Sequence, residues 1–263
     1  MTIYWAILSA RFRTLLQYRA AAIAGFGTQL FWGLMRVMIF TAFYHSVSTK
    51  QPLTLQQTIT YLWLVQALLL LVPWNGDPDI ARLIRSGDVA FELVRPVDLY
   101  NLWFARAIAQ RTAPAFLRCF PMFLLAGAFL GLQAPVSWSA LGAFLAAILG
   151  GVLLSAAFTV LQSVFLFWTI SGVGAARLFP SIVLFCSGML IPLPLFPEWA
   201  QPILNFLPFR GIIDGPFRLY LGHMPVSAAP SLIVQQLLWL LVIVLFTRWL
   251  LKRGLRRAVV QGG

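Results

Sequence analysis

Long apolar runs alternate with short polar breaks along this chain. Six of the runs approach or exceed the roughly 20 residues a helix needs to cross the hydrocarbon core of a bilayer. They occupy about 20–44, 58–74, 112–132 (with Pro114 near its start), 140–170, 178–195 and 232–251, the fourth long enough to tilt. A shorter amphipathic pattern precedes them. Trp5, Leu8, Phe12, Leu15 and Leu16 fall on one helical face, and Ser9, Arg13 and Gln17 fall on another. That pattern predicts a helix lying in the membrane interface, its basic side toward the headgroups. Its apolar stretch comes before the arginines, the reverse of a signal peptide. The expectation is an all-α polytopic membrane protein with six transmembrane helices and an N-terminal interfacial helix. No repeat or low-complexity linker divides residues 1–263, so a single domain is expected.

Composition agrees with this pattern. The chain is 60% hydrophobic and 10% charged, with a mean hydropathy of +0.86, whereas soluble domains carry about 25% charged residues. A net charge of +12 brings nucleic acid to mind, but that function needs a folded polar surface on which to gather the charge. The basic residues instead sort by loop. Arg11, Arg13 and Arg19 precede the first run, and Arg82, Arg85, Arg95, Arg106, Arg111 and Arg118 lie between or beside the second and third. Arg177 separates the fourth and fifth, and Arg248, Lys252, Arg253, Arg256 and Arg257 close the chain. The alternate loops hold only Lys50, Arg210 and Arg218. With an even number of spans, this asymmetry predicts both termini in the cytoplasm.

The most charged stretch, 82–111, holds Asp88, Glu92 and Asp98 among five arginines and falls on the same cytoplasmic side. Just before it, Asp77 suits a helix N-cap, Pro78 the first helical position and Asp79 the positive end of the helix dipole. Ile80, Leu83 and Ile84 share a face of this short helix, which Gly87 can end. Asp98 can cap a second helix whose Leu99, Leu102, Trp103 and Ile108 lead into the third span. A loop that only turned the chain would be far shorter, so docking onto a cytosolic partner is expected.

Within the spans, Gln29, Trp32 and Arg36 repeat at helical spacing, and Phe40 and Phe43 continue their face. An arginine near the centre of a span costs at least about 2.5–3.5 kcal/mol and faces protein or water. Arg36 is therefore a candidate for a pore-lining or inter-subunit position, with snorkelling outward the alternative. Gln162 is a further candidate, or else bonds a neighbouring helix. Between the fifth and sixth spans, Pro192, Pro194, Pro197, Pro202 and Pro208 break up apolar runs too short to cross. These suit external re-entrant helices or an interfacial loop, with Glu198, Arg210, Asp214 and Arg218 as its polar groups. Ser171, in "TISGVGAAR", suits a tight turn rather than a nucleophile.

Catalytic and metal-binding patterns are missing from the sequence. Neither lysine, Lys50 or Lys252, follows a glycine, so no phosphate-binding loop exists. His45 and His223 form no metal motif, and Cys119 and Cys186 lie in apolar runs. No acidic cage lines the spans, which favours a hydrophobic or amphipathic substrate over a cation.

Two stretches resemble a known family. "IRSGDVAFELVRPVDLYNLWFAR" is similar to the cytosolic loop of ABC-2 type transporter permeases, in particular their small six-span exporters. "SGMLIPLPLFPEWAQPILNFLPFRGIIDGPFRLYLG", residues 187–222, resembles their external proline-rich segment, and "RRAVVQGG" resembles the ends of the small group. The resemblance covers nearly the whole chain. It implies a non-enzymatic half-transporter of the plasma (inner) membrane, set on separate ABC ATPase subunits that bind ATP and magnesium. It also implies pairing with a second copy or with a sister permease, and membrane lipid around both. The loop between spans two and three would hold the coupling helix, making Asp88, Glu92, Arg95 and Asp98 the candidate ATPase contacts. Helices between spans five and six would cap the exit, making Glu198, Arg210 and Asp214 an external gate. An ATP-independent channel or transporter and a membrane-anchoring assembly subunit are the alternatives the residues leave open.

Overall fold

The computed structural model describes residues 2–168 and 173–256; Ser171 and Arg257 lie outside them. Among the described residues every regular element is helical. The chain opens with α1 (Thr2–Leu16), which packs along the later α6, and continues into α2 (Arg19–Ser46). After α3 (Leu55–Ala67) come two short helices, α4 (Pro78–Ser86) and α5 (Val89–Leu93). Two long helices, α6 (Leu99–Phe129) and α7 (Trp138–Val164), are followed by α8 (Val173–Cys186). The short α9 (Gln201–Phe206) and α10 (Asp214–Tyr220) then lead to α11 (Ala229–Leu255).

Among the described residues, four helical stretches are long and apolar enough to cross a membrane: Ala22–Ser46, Leu99–Phe129, Trp138–Phe167 and Val226–Leu255. The other two expected spans are shorter than their apolar runs. With 13 and 14 residues, α3 and α8 extend only about 20 Å at 1.5 Å per residue. The helix predicted over 58–74 begins earlier, on a Thr54–Gln57 capping box, and stops at Ala67. A 3₁₀ turn at Leu69–Leu71 and an extended stretch replace its last turns.

This irregular backbone is satisfied from neighbouring helices. Ser155 donates to the carbonyl of Leu71, and Arg111 to those of Val72 (3.0 Å) and Asn75. Gln162 donates to the carbonyl of Pro73 at 3.0 Å. An unpaired carbonyl in apolar surroundings costs free energy, so these side chains do the work of the missing helical turns. Arg111, placed by sequence among the orientation-setting loop arginines, is a buried member of α6. Its Nε also donates to Thr159 at 2.9 Å.

The run read as a span over 178–195 divides at Ser187. There α8 has ended, and Gly188 takes φ 84°, in the left-handed region. In the opposite direction, α6 begins thirteen residues before the predicted 112–132 span, on the Asp98 cap, and runs through Pro114 and Pro121 unbroken. Its 31 residues reach about 46 Å. Residues 77–98 gather at the N-terminal end of α6. Residues 187–222 gather at its far end, where Tyr220 donates to the Gln133 carbonyl at 2.8 Å. The C-terminal end of α11 returns to the first group through Arg248.

Candidate functional site

At the first end, the sequence builds α4 as its pattern predicts. The Asp77 carboxylate accepts from the Asp79 N–H at 2.8 Å, Pro78 opens the helix, and Gly87 closes it at φ 81°. The acids of this segment then meet arginines from elsewhere. Arg11 of α1 lies 2.6 Å from Asp79. Arg106 of α6 stands between Asp77 (3.3 Å), Asp79 (3.4 Å) and Glu92 (3.6 Å). Ser163 of α7 accepts from the Asp77 N–H at 3.0 Å. The segment is thereby fastened to α1, α6 and α7.

The short α5 has two faces. Val89 and Glu92, three residues apart, point inward, and the Trp103 indole N–H donates to Glu92 at 2.7 Å. Phe91 and Val94, also three apart, point outward and are 73% and 84% exposed. Around them Arg85, Asp88, Leu93 and Arg95 are exposed. Asp88 accepts from Ser86 at 2.6 Å. Asp98 caps α6 by accepting from the Asn101 N–H at 2.8 Å, and Arg248 reaches it at 3.1 Å.

At the opposite end lies Asp214, wholly buried. Its Oδ1 accepts from the Tyr61 hydroxyl and the Leu193 N–H, both at 3.2 Å, and Arg218 stands 3.6 Å from Oδ2. Burial pushes this carboxyl above its ordinary range, and Arg218 and Arg210 draw it back down. Arg218 also donates to His223 Nδ1 at 3.2 Å. Nearby, Arg36 of α2 donates to the carbonyls of Met189 (2.5 Å) and Leu190 (2.6 Å), just beyond the turn at Gly188.

Apart from Arg11 of α1, these residues, from Arg36 of α2 to Arg248 of α11, fall within a match to the model of the ABC-2 family transporter proteins over residues 30–262. The chain belongs to that family. No curated protein matches it. It is a multi-pass membrane permease, and membership implies partnering with an ABC ATPase.

The permease distributes its sequence-predicted residues unevenly. Of the four candidates in the 77–98 region, Asp88 and Arg95 stand exposed on one surface, Glu92 is buried under Trp103, and Asp98 is engaged by α11. Of the candidates in the spans, Trp32 and Arg36 line a common cleft with Gln66 and Trp74. Gln29 is buried away from it, and Gln162 holds the Pro73 carbonyl. Of the candidates at 198–214, Glu198 is exposed, Arg210 donates to the Asn205 carbonyl at 3.3 Å, and Asp214 forms the buried junction. The three do not form one group.

Sequence reasoning weighed charge and passed over Phe91 and Val94. Their i, i+3 spacing opposite Val89 and Glu92 is the signal that finds them. It also missed Gln66 and Trp74, because a cleft formed by three separate segments leaves no spacing in the sequence.

Proposed function

We propose that this chain is the membrane-spanning subunit of an ATP-driven exporter of hydrophobic or amphipathic molecules. In this reading one six-span domain sits in the plasma membrane. The α3 region and the α8 region complete the crossing beside the four long helices, and both termini face the cytoplasm. The 77–98 segment is the coupling element, gripped by a separate ATPase that binds the ATP and magnesium. The 187–222 segment caps the external exit. A second copy or a sister permease packs beside it, and the exposed apolar face of α2 at Phe31 and Met38 suits such a neighbour.

One observation supports this reading above the rest. The 77–98 segment is tied into the bundle by buried ion pairs, yet turns Phe91, Leu93 and Val94 outward among Arg85, Asp88 and Arg95. A loop serving only to connect two spans gains nothing from rigid anchoring and an apolar outer face. A lever needs both.

The test is gentle solubilisation from the native membrane, followed by identification of what co-purifies. An ATPase that is retained by the unmodified permease and lost on Phe91→Ser with Val94→Asp supports the reading. An ATPase that stays bound, with undiminished turnover, despite both changes would sink it. Purification alone from an intact fold would favour the ATP-independent channel.

A further inference from the structure

The cleft beside Arg36 has a volume of about 900 Å³, within the range of ligand pockets. It is lined by α2, by the end of α3 with the 3₁₀ turn and extended stretch that follow it, and by the end of α8 with the chain beyond it. Its walls are apolar and aromatic, with Trp32, Phe40 and Trp74 prominent.

Apart from Thr28, whose hydroxyl donates to the Ala24 carbonyl, two polar side chains interrupt that wall. The Arg36 guanidinium is held by two carbonyls, which fix its position but leave its charge unneutralised. The chain's acids fall at positions 77–98, 198 and 214, and none lines the cleft. Among the described residues no ion pair includes Arg36. The second group is Gln66, which is 2% exposed and whose Oε1 has no hydrogen-bond partner. A cation and an unmet amide in an apolar cleft are each costly until something pairs with them.

We propose that the cleft binds an amphiphile bearing one acidic headgroup. The acid pairs with Arg36, a ligand O–H or N–H near the head, where there is one, donates to Gln66 Oε1, and the apolar body lies along Trp32, Phe40 and Trp74. The site discriminates by charge, since a neutral molecule of the same shape leaves Arg36 uncompensated. The inference rests on the exporter reading only in naming this amphiphile as transported substrate; binding itself needs neither ATP nor a partner.

The experiment uses the full-length permease in nanodiscs of zwitterionic lipid, labelled by light with a diazirine-bearing palmitate and mapped by peptide mass spectrometry. Labels are expected on 28–43 and 184–195. Excess palmitate should compete at least about tenfold better than its methyl ester, a margin suited to a charge pair out of water. Arg36→Gln should abolish that preference, and Arg36→Lys, which keeps the charge, should retain it. If Arg36→Gln fails to fold, the acid-against-ester comparison on the unmodified protein still decides. Equal competition by acid and ester, labels spread evenly over the lipid-facing helices, or a cleft closed to the probe by a second copy would each overturn the proposal. None of these outcomes bears on whether an ATPase grips residues 77–98.

Discussion

Arg106 Nε lies 3.3 Å from the carboxylate of Asp77, which is 1% exposed. This pair joins the long helix α6 to the cap of α4, and the same guanidinium also reaches Asp79 and Glu92. Removing one partner of a buried ion pair strands the other charge, at a cost of about 3–5 kcal/mol. Arg106→Ala should therefore lower the melting temperature in detergent sharply. Arg82→Ala, which removes only an exposed partner of Asp79, should leave it nearly unchanged. Similar melting for the two variants would refute the central role of Arg106.

A second prediction concerns Arg111. It satisfies Thr159 and the carbonyls of Val72 and Asn75 where the helix following Leu55 has already ended. Arg111→Met leaves the Asn75 carbonyl and the Thr159 hydroxyl without this donor, at about 1–3 kcal/mol each, while the Val72 carbonyl keeps only the Trp74 N–H. The expected outcome is poor membrane accumulation and a lowered melting temperature, with only partial rescue by Arg111→Lys, since one ammonium cannot reproduce the fork. A melting curve unaltered by Arg111→Met would show the carbonyls to be satisfied another way.

The Asp214 junction makes a graded prediction. Tyr61→Phe removes one hydrogen bond to a buried carboxyl and should cost about 1 kcal/mol or somewhat more. Asp214→Leu leaves the Tyr61 hydroxyl and the Leu193 N–H without an acceptor and Arg218 without its carboxylate, and should be far more damaging. Asp214→Asn keeps Oδ1 as an acceptor and should fall between them. Stability measured by thermal unfolding in one detergent checks the order.

His223 carries the pH prediction. Burial holds its imidazole below the usual range, and the positive charge of Arg218 pushes it the same way, partly opposed by the Pro52 carbonyl. A histidine lowered on folding binds its proton more readily when unfolded. Its contribution to stability is thus present above the ordinary value near about 6.5 and is lost as the pH falls. Asp214, raised on folding, acts with the opposite sign. The comparison is therefore between the unmodified protein and His223→Gln. The gap between their melting temperatures should shift against the unmodified protein from pH 7.5 to 5; a constant gap would refute the assignment (both values chosen to bracket about 6.5).

Much of this architecture was legible in the sequence where the rule is local. The Asp77 and Asp98 caps, Pro78 at the first helical position and Gly87 at the stop each depend on neighbours within a few residues, and each stands as read. Helix length was less legible. Apolarity marks where chain can be buried, but not whether it stays helical there. The ends of α3 and α8 depend on side chains far away in sequence, such as Arg111 and Ser155 for the first of them. Site residues followed the same division. Arg36 stood out as a charge in an apolar run, whereas Gln66 acquires its place only when α2 and the chain after α8 fold against α3. Glu92 looked like a surface acid because nothing nearby in sequence announces that Trp103 will cover it.

The engagement of Asp98 by both ends of the chain has a consequence for biosynthesis. Its N–H donates to the Tyr4 hydroxyl at 3.0 Å, and its carboxylate receives Arg248, 150 residues downstream. Tyr4 is already waiting when Asp98 leaves the ribosome, but Arg248 is not made until the last long helix is. The joint between α5 and α6 is therefore half-fastened throughout synthesis. Arg248 arrives with α11, so this second fastening forms only after α1 to α10 have been made.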